Sequence, residues 1–329
     1  MKGKFRVQIK HKKINYDFEL KRSITIISGD SGTGKTTLIS YIQTYKDKGK
    51  LSGIKVICEK ECVVLTSRIW EEFRPVYHNC IIFIDEDCDF VTTKEFAQYV
   101  SNSDCYFVII QRENLEMLAY SMNEIYDFVL KGKTNIFKPK YAKYIEDKTF
   151  CRRPDIIITE DSNAGYQFYS CLPDVEVISA KGKSNIVKQY LDNIGKQMVL
   201  VVDSAAFGSC IEEVVKYSSN DCKVQMYAPE SFEYFILVSG IFKVSNIYDN
   251  IYEPYKYINY PEYLSWERYF TKLLITLTKD YKGAEYNKNH LKKFYKLKVN
   301  QILQGNSLDF LCFSSKKSKQ LNKMNIVKK

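Results

Sequence analysis

The chain has 329 residues, of which 45% are hydrophobic and 27% are charged, and its formal net charge is +10. This length exceeds one ordinary domain and suits two, and the apolar content is sufficient for two cores. No run of about 18 apolar residues occurs, and the lysine-rich N-terminus lacks the hydrophobic region of a signal peptide. We therefore expect a soluble, cytoplasmic protein that does not enter a membrane.

Ten cysteines are scattered along the chain without a repeating spacing, and several lie in apolar runs. This distribution is typical of reduced, buried thiols in an intracellular protein. Cys58 and Cys62, followed by His78 and Cys80, leave a zinc site open as an alternative. The irregular spacing favours buried thiols over a metal site.

The positive charge is concentrated at the C-terminal end of the chain. Residues 279–329 contain 13 lysines and three acidic residues, so this segment carries a charge of +10 and the preceding residues together are neutral. A basic tail on a neutral body is typical of a protein with an anionic partner such as nucleic acid. A solvated helix face with a frayed terminus is the alternative.

The first predicted element in chain order is an antiparallel hairpin over residues 4–20. Apolar and polar side chains alternate there on both sides of a lysine-rich turn, as in strands with one buried face. The hairpin leads into residues 24–27, an apolar and mostly β-branched run. This run predicts a buried parallel strand.

A glycine-rich stretch follows this strand and matches the phosphate-binding pattern G-x-x-x-x-G-K-[ST] at every fixed position. Glycines are needed because such a loop turns through conformations closed to residues with a Cβ and brings its amides against a polyphosphate. We therefore expect this P-loop to bind ATP. The expected nucleotide-binding residues are Gly29, Asp30, Ser31, Gly32, Thr33, Gly34, Lys35, Thr36 and Thr37.

Lys35 and Thr36 have separate expected roles in this loop. Lys35 would place its ammonium group on the β- and γ-phosphates, and the Thr36 hydroxyl would bind Mg²⁺ at the positive end of the next helix. Apolar residues at helical spacing predict that this helix covers residues 36–45. A glycine turn without a ligand is the alternative.

Carboxylates end one of the strands that follow. The next predicted strands are residues 54–57, 62–65 and 80–84. Because the ends of parallel strands line the ligand crevice of a sheet, Asp85 is expected to face the Mg²⁺ held by Thr36. Glu86 is placed to orient or deprotonate the attacking water. A capping or solvated group of acids is the alternative.

A further strand is predicted over residues 106–110, and residues 125–130 with the stretch 131–140 are expected to complete the sheet. Over roughly residues 4–135 the chain resembles the P-loop ATPases of the additional-strand type, with Walker A and B motifs and an N-terminal hairpin like that of ABC and OLD proteins. The chain has no LSGGQ-like signature, and 50 residues separate Lys35 from Asp85.

The resemblance implies a parallel α/β sheet with helices on both faces and an ATP-hydrolysing site. It also implies a γ-phosphate sensor at the end of the strand over residues 106–110, where Gln111 and Arg112 stand. An arginine that is only solvated or paired is the alternative for Arg112.

A second α/β pattern begins after a polar linker over residues 146–154. Its predicted strands are residues 155–159, 175–179 and 198–202, with helices between them. Glu160 follows the first of these strands and Asp203 follows the third. The pattern is therefore a βαβαβ unit with carboxylates at two strand ends.

In order and spacing, residues 155–240 resemble a Toprim domain, the module of topoisomerases, primases and OLD-type nucleases. The resemblance implies that Glu160 is the general acid–base or metal-bound glutamate. It also implies that Asp203 is the first metal-binding aspartate, so that both would bind Mg²⁺.

The chain departs from the Toprim motif at Ala205, which stands where the family has its second aspartate. Mg²⁺ accepts few protein carboxylates and several waters, so Asp161, Glu230 or Glu233 is a candidate to complete the site. A proline before a helix-forming run predicts that Glu230 and Glu233 lie one turn apart on one face. An α/β module whose acids only cap helices is the alternative.

The remaining segment, residues 248–270, is rich in aromatic side chains that either form core or stack on bases. We therefore predict a P-loop domain (1–150), a Toprim-like α/β domain (151–278) and a basic helical tail (279–329). This combination resembles the ATPase–Toprim proteins of phage defence and mobile elements. The resemblance implies ATP hydrolysis coupled to action on nucleic acid, as in a nucleotide-gated, metal-dependent nuclease. A non-enzymatic, ATP-dependent switch whose acidic site binds a partner is the alternative, and a homo-oligomer or protein partner stays open.

Overall fold

A computed structural model of the chain describes residues 1–29, 32–73, 76–142, 153–219 and 221–313. The chain divides into two compact units, each built from separate stretches of sequence. The first unit takes its described residues from 1–142, 205–209 and 252–266, and the second takes them from 153–204, 210–251 and 267–313. Most of the predicted linker, residues 146–152, lies outside the described residues.

The first unit contains a nine-stranded mixed sheet. Its strands are β1 (Phe5–Lys10), β2 (Asn15–Leu20), β3 (Ile24–Ile27), β4 (Lys55–Ile57), β5 (Cys62–Val64), β6 (Ile81–Ile84), β7 (Tyr106–Ile110), β8 (Ile125–Lys131) and β9 (Thr134–Pro139). Their order across the sheet is β4-β1-β2-β9-β8-β3-β7-β6-β5. The prediction of a parallel sheet is therefore too simple, because three of its eight strand pairs are antiparallel.

Five neighbouring strands, β8, β3, β7, β6 and β5, run parallel to one another. Every residue of β3, β6 and β7 is buried, as expected for strands that are covered on both faces. β7 lies between β3 and β6. The segments that follow these three strands therefore leave the sheet at the same edge.

The antiparallel part of the sheet is formed by two hairpins and one edge strand. β1 pairs with β2, and β8 pairs with β9, in antiparallel register. β9 joins the two hairpins because it also pairs with β2 in parallel register. β4, predicted from sequence only as the next strand, pairs with β1 at the edge opposite to β5.

The helices of the described residues are mostly short. They are α1 (Lys35–Lys48), α2 (Ser67–Phe73), α3 (Lys94–Ser101), α4 (Ala164–Tyr169), α5 (Ile186–Leu191), α6 (Gly208–Ser218), α7 (Phe232–Val238), α8 (Tyr248–Tyr252), α9 (Trp266–Thr278), α10 (Lys293–Leu297) and α11 (Val299–Gly305). Short 3₁₀ turns cover Gly49–Ser52, Asp89–Thr92, Met122–Glu124, Lys183–Asn185, Ser245–Ile247, Pro254–Lys256 and Asp309–Leu311. Among the described residues no helix has the length and apolarity needed to cross a bilayer.

The second unit contains a four-stranded sheet in which all strands are parallel. Its strands are β10 (Ile156–Thr159), β11 (Glu176–Ser179), β12 (Met198–Val201) and β13 (Val224–Tyr227), in the order β11-β10-β12-β13. The first three agree with the predicted strands to within a residue. β13 is missed by the sequence analysis because its four residues form no apolar run.

The segment predicted as a basic tail is folded as far as residue 313. Tyr286, Leu291, Tyr295 and Ile302 are at most 6% exposed, so this segment contributes to the core of the second unit. Residues 279–313 contain seven lysines and three acidic residues, and the six lysines after them lie outside the described residues.

Candidate functional site

The glycines of the loop between β3 and α1 adopt conformations that side chains disfavour. Gly29, Gly32 and Gly34 have φ angles of 97°, 82° and 92°. A Cβ on Gly29 would lie 2.8 Å from Asp127 Oδ1, and a Cβ on Gly34 would lie 2.9 Å from Asn135 Nδ2. The two fixed glycines of the motif are thus required by both conformation and space, whereas Gly32 has open space around it.

The Lys35 side chain folds back along the loop. It is 5% exposed, and its ammonium group donates to the carbonyl of Gly29 at 2.6 Å and to Thr33 Oγ1 at 3.4 Å. α1 begins at Lys35 and has no acidic side chain in its first turn. The loop therefore has two sources of positive charge, the Lys35 ammonium and the N-terminal end of the α1 dipole. Asp30 and Ser31 lie outside the described residues.

The acids that follow β6 lie at the same sheet edge as this loop. Burial raises the pKa of Asp85, and the nearby positive charge of Lys35 opposes the rise. The Glu86 N–H donates to Asp85 Oδ1 at 2.9 Å. Thr36 is exposed at the start of α1, and no hydrogen bond joins it to Asp85 within the described residues. The positive charge of Lys35 thus acts on Asp85, whereas the approach of Asp85 to a Mg²⁺ ion on Thr36 stays a prediction.

The two sensor candidates after β7 are both engaged in local bonds. Arg112 forms a two-pronged ion pair with Glu86, with nitrogen–oxygen distances of 3.1 and 3.2 Å. Its backbone N–H donates to Gln111 Oε1 at 2.9 Å. The Arg112 side chain is 51% exposed and that of Glu86 is 35% exposed. The residue expected to activate water is therefore paired with a residue expected to sense the γ-phosphate.

Four polar residues beside the loop were missed by the sequence analysis. Tyr16 and Asn135 donate hydrogen bonds to loop carbonyls, and the Lys140 ammonium donates to Ser28 Oγ at 2.9 Å. The Asp127 side chain approaches Gly29, as described above. No local pattern identifies these residues, because only the pairing of β2, β9, β8 and β3 brings them to the loop.

In the second unit, Glu160 and Asp203 lie side by side at the ends of β10 and β12. The Asp203 N–H donates to Glu160 Oε2 at 3.1 Å. Burial raises the pKa of Glu160 to about 7, and the charge of Glu267 adds to the rise while Lys183 opposes it. Burial, followed by the charge of Glu160, also raises the pKa of Asp203 well above its usual range. The structure therefore brings the two predicted metal ligands together.

Asp161, a candidate to complete the metal site, lines the same cavity as Glu160 and Asp203 and also binds backbone amides at the start of a helix. Its carboxylate accepts N–H groups from Asn163, Gly165 and Tyr166 at 3.2, 3.1 and 3.0 Å. These are the orphan amides at the start of α4. Asp161 therefore organises the strand-to-helix turn, as the capping alternative for this module proposed.

Glu230 and Glu233 do not lie on one face of one helix, so that prediction is wrong. Ser231 caps the N-terminus of α7, which leaves Glu230 outside the helix and places Glu233 in its first turn. Glu233 is 1% exposed and accepts a hydrogen bond from the Tyr286 hydroxyl at 2.8 Å. Glu233 alone of the two faces the acidic cavity described next.

A cavity of about 310 Å³ opens beside these acids. Its charged lining residues include Glu160, Asp203, Glu233, Glu267, Lys181 and Lys288. The Lys288 ammonium pairs with the Glu267 carboxylate, and neither residue was predicted from sequence. The described residues contain no group of three or more acidic, histidine or cysteine side chains arranged to hold a metal ion.

That finding also bears on the zinc alternative near the start of the chain. The Lys60 N–H donates to Cys58 Sγ at 3.5 Å, the Cys62 thiol donates to the Lys60 carbonyl at 3.8 Å, and Cys80 Sγ lies 3.5 Å from Cys105 Sγ. The nine cysteines within the described residues are all free thiols. The interpretation as reduced thiols therefore agrees with the structure.

Comparison of the chain with protein-family models, with curated proteins and with solved structures finds no match in any of the three. The resemblances to P-loop ATPases and to Toprim domains therefore remain predictions from the motifs.

Proposed function

We propose that the first unit binds MgATP and hydrolyses it. One observation carries this proposal: the buried Lys35 ammonium lies in a loop of positive-φ glycines, at the sheet edge that also holds Asp85. An ammonium group and backbone amides at a helix N-terminus together suit the β- and γ-phosphates of a nucleotide. The position of β7 between β3 and β6 supports the proposed kinship with additional-strand ATPases.

Thr36 and Asp85 would hold the Mg²⁺ ion, which neutralises charge on the phosphates. One hydroxyl and one carboxylate suit an ion that keeps several of its waters. Glu86 would then orient or deprotonate water after Arg112 turns to the γ-phosphate. Arginine binds phosphate in a two-pronged manner, so the phosphate competes with the Glu86 carboxylate for the same guanidinium.

Calorimetry with MgATP tests this proposal. Lys35→Ala removes the ammonium and should weaken binding at least tenfold, about 1.4 kcal/mol. Glu86→Gln should keep binding and lose turnover, because it removes the base without touching the phosphate site. Lys94→Ala, which removes an exposed lysine in α3, is the control. Equal MgATP affinity in wild type and Lys35→Ala would contradict the proposal.

For the second unit we propose a Toprim-like module that binds Mg²⁺ through Glu160 and Asp203. Within the described residues the Asp203 carboxylate has no hydrogen bond or ion pair. Two half-buried carboxylates at adjacent strand ends repel each other unless a cation or a proton lies between them. Mg²⁺ would therefore be held by these two carboxylates, with water molecules as its remaining ligands.

The substrate proposed for this module is nucleic acid, cleaved under the control of the nucleotide in the first unit. Lys181 and Lys288 line the acidic cavity and offer positive charge to a phosphodiester. A protein of this kind would suit phage defence or a mobile element.

Two observations favour a second candidate function, a non-enzymatic switch that responds to ATP. Ala205 supplies no carboxylate, and the described residues hold no three-ligand metal group. In such a switch the acidic cavity would bind a partner. Metal-dependent nicking of DNA or RNA separates the two candidates, because only the nuclease produces it.

A further inference from the structure

Two buried side chains hold the last two carbonyl groups before α1. Asn135 Nδ2 donates to the Thr33 carbonyl at 3.2 Å, and the Tyr16 hydroxyl donates to the Gly34 carbonyl at 2.7 Å. Tyr16 and Asn135 are direct partners in the register between β2 and β9. Both are at most 2% exposed. The two strands therefore present a pair of donors to the loop from one place in the sheet.

These bonds set the direction of two backbone N–H groups. In a trans peptide the carbonyl and the N–H point in opposite directions. Because the carbonyls of Thr33 and Gly34 are held towards Asn135 and Tyr16, the N–H groups of Gly34 and Lys35 point away from those side chains. Amides at this position, where a glycine-rich loop enters a helix, are those that bind phosphate oxygens.

The surroundings of Gly34 make this arrangement tight. A Cβ on Gly34 would lie 2.9 Å from Asn135 Nδ2 and 3.0 Å from the Tyr16 hydroxyl oxygen, so only glycine leaves room for both donors. Burial raises the pKa of Tyr16 to about 12, and the hydroxyl therefore keeps its proton at neutral pH. The Gly34 carbonyl also accepts the Leu38 N–H at 3.0 Å, which is the first bond of α1.

We propose that Tyr16 and Asn135 are positioning residues for the nucleotide: they orient the N–H groups of Gly34 and Lys35 before the polyphosphate arrives. This inference rests on the ATP site proposed for the first unit. Without the two donors the loop samples other peptide orientations, and the ligand must order it on binding. Preorganisation of a site raises affinity because that ordering is already done.

Tyr16→Phe is the main test, because it removes one hydroxyl and leaves the ring in place. One buried hydrogen bond contributes about 0.5–1.5 kcal/mol, so the Kd for MgATP should rise roughly three- to tenfold. Asn135→Asp keeps the side-chain shape but sets a carboxylate against the Thr33 carbonyl. This second variant should weaken MgATP binding at least as much.

Tyr106→Phe is the matched control. The Tyr106 hydroxyl is also buried and donates to a glycine carbonyl, that of Gly3, at 2.8 Å. It lies at the first residue of β7, at the end of the strand away from the loop. We expect Tyr16→Phe and Tyr106→Phe to lower the melting temperature to a similar extent, while only Tyr16→Phe weakens MgATP binding in calorimetry.

The outcomes distinguish this inference from the proposed function. If the wild-type protein binds no MgATP, the proposed function fails and the inference fails with it. If the wild type binds MgATP and both Tyr16→Phe and Asn135→Asp bind it as tightly as Tyr106→Phe, the ATP site stands and only the positioning role is overturned.

Discussion

At the scale of single residues, the ion pair between Glu86 and Arg112 joins two residues with separate expected roles. Ion pairs of this exposure contribute about 0–1 kcal/mol to stability. The pair is therefore weak enough for a phosphate to replace the carboxylate on the guanidinium. Arg112 would then have two partners, Glu86 in the free protein and the γ-phosphate in the complex.

Arg112→Ala tests this exchange. Turnover of ATP should fall at least about tenfold, because a charged contact to the reacting phosphate is lost. The Kd for MgADP should stay within about twofold of wild type, since ADP has no γ-phosphate. Arg68→Ala is the control, because Arg68 also forms an ion pair with a glutamate, Glu72, at 2.9 Å. A weaker affinity for MgADP in Arg112→Ala would assign the arginine to general phosphate binding.

The raised pKa of Glu160 gives a second prediction at this scale. Because the folded-state pKa is about 7 against 4.5 for the ordinary group, the folded form binds the proton more tightly than the unfolded form. The contribution of Glu160 to the free energy of unfolding therefore falls as the pH rises from about 4.5 to 7.

Mg²⁺ requires the ionised carboxylate, so its stabilising effect should show the opposite dependence on pH. The gain in melting temperature on adding Mg²⁺ should be larger at pH 8 than at pH 6. In Glu160→Gln the gain should be small at both pH values. Glu176→Gln, which changes an exposed glutamate of β11 that pairs with Lys196, should behave as wild type. A gain that is independent of pH would rule out Glu160 as a ligand.

At the scale of elements, the basic C-terminal segment has two parts with different roles. Residues 279–313 contain buried Tyr286 and Tyr295, so deleting them should unfold the second unit. The six lysines after residue 313 can be removed without loss of any described core residue. A truncation after residue 313 therefore isolates the effect of charge.

If these six lysines contact phosphates, the truncated protein should bind duplex DNA more weakly and with less dependence on salt. The slope of log K against log salt should decrease by about 0.9 for each phosphate contact that is lost. Replacing the same lysines with glutamine in the full chain is the matched control, and it should have the same effect. An unchanged slope in both proteins would exclude this segment from the nucleic-acid interface.

At the scale of the whole molecule, the chain combines two compact units whose candidate sites have different chemistry. The first unit has a cationic side chain and backbone amides suited to the proposed polyphosphate, and the second has carboxylates suited to the proposed cation. In a nucleotide-gated nuclease the second site would cleave nucleic acid, whereas in a switch it would only bind a partner. The two candidate functions therefore differ in whether the second site cleaves nucleic acid.

Cleavage assays with Mg²⁺ or Mn²⁺, ATP and single- or double-stranded substrates test the combination. Glu160→Gln should abolish nicking and leave MgATP binding unchanged, because Glu160 belongs to the second unit. Lys35→Ala should weaken MgATP binding and strongly reduce nicking, since the nucleotide is proposed to gate cleavage. If the Lys35→Ala variant nicks as well as the wild type, cleavage does not depend on nucleotide binding. The absence of nicking by the wild type on every substrate would favour the switch.

The sequence alone determined the features that depend on a few consecutive residues. The glycine-rich loop before α1 is one, because its glycines and Lys35 lie close together in the chain, within residues 29–35. The strands Ile81–Ile84 and Tyr106–Ile110 are others, because burial on both faces requires a continuous apolar run. Glu160 and Asp203 were also predictable, since each directly follows such a run.

Only the tertiary structure decided which distant segments meet. Periodicity shows that a strand forms but not which strand it pairs with, and so the mixed order of the large sheet and the approach of Asn135 to the loop could not be predicted. The same holds for Asp161, whose carboxylate caps a turn, and for the pair of Glu267 and Lys288 in the acidic cavity. The physical reason is that strand pairing and cavity formation depend on the packing of the whole chain, which no short stretch of sequence records.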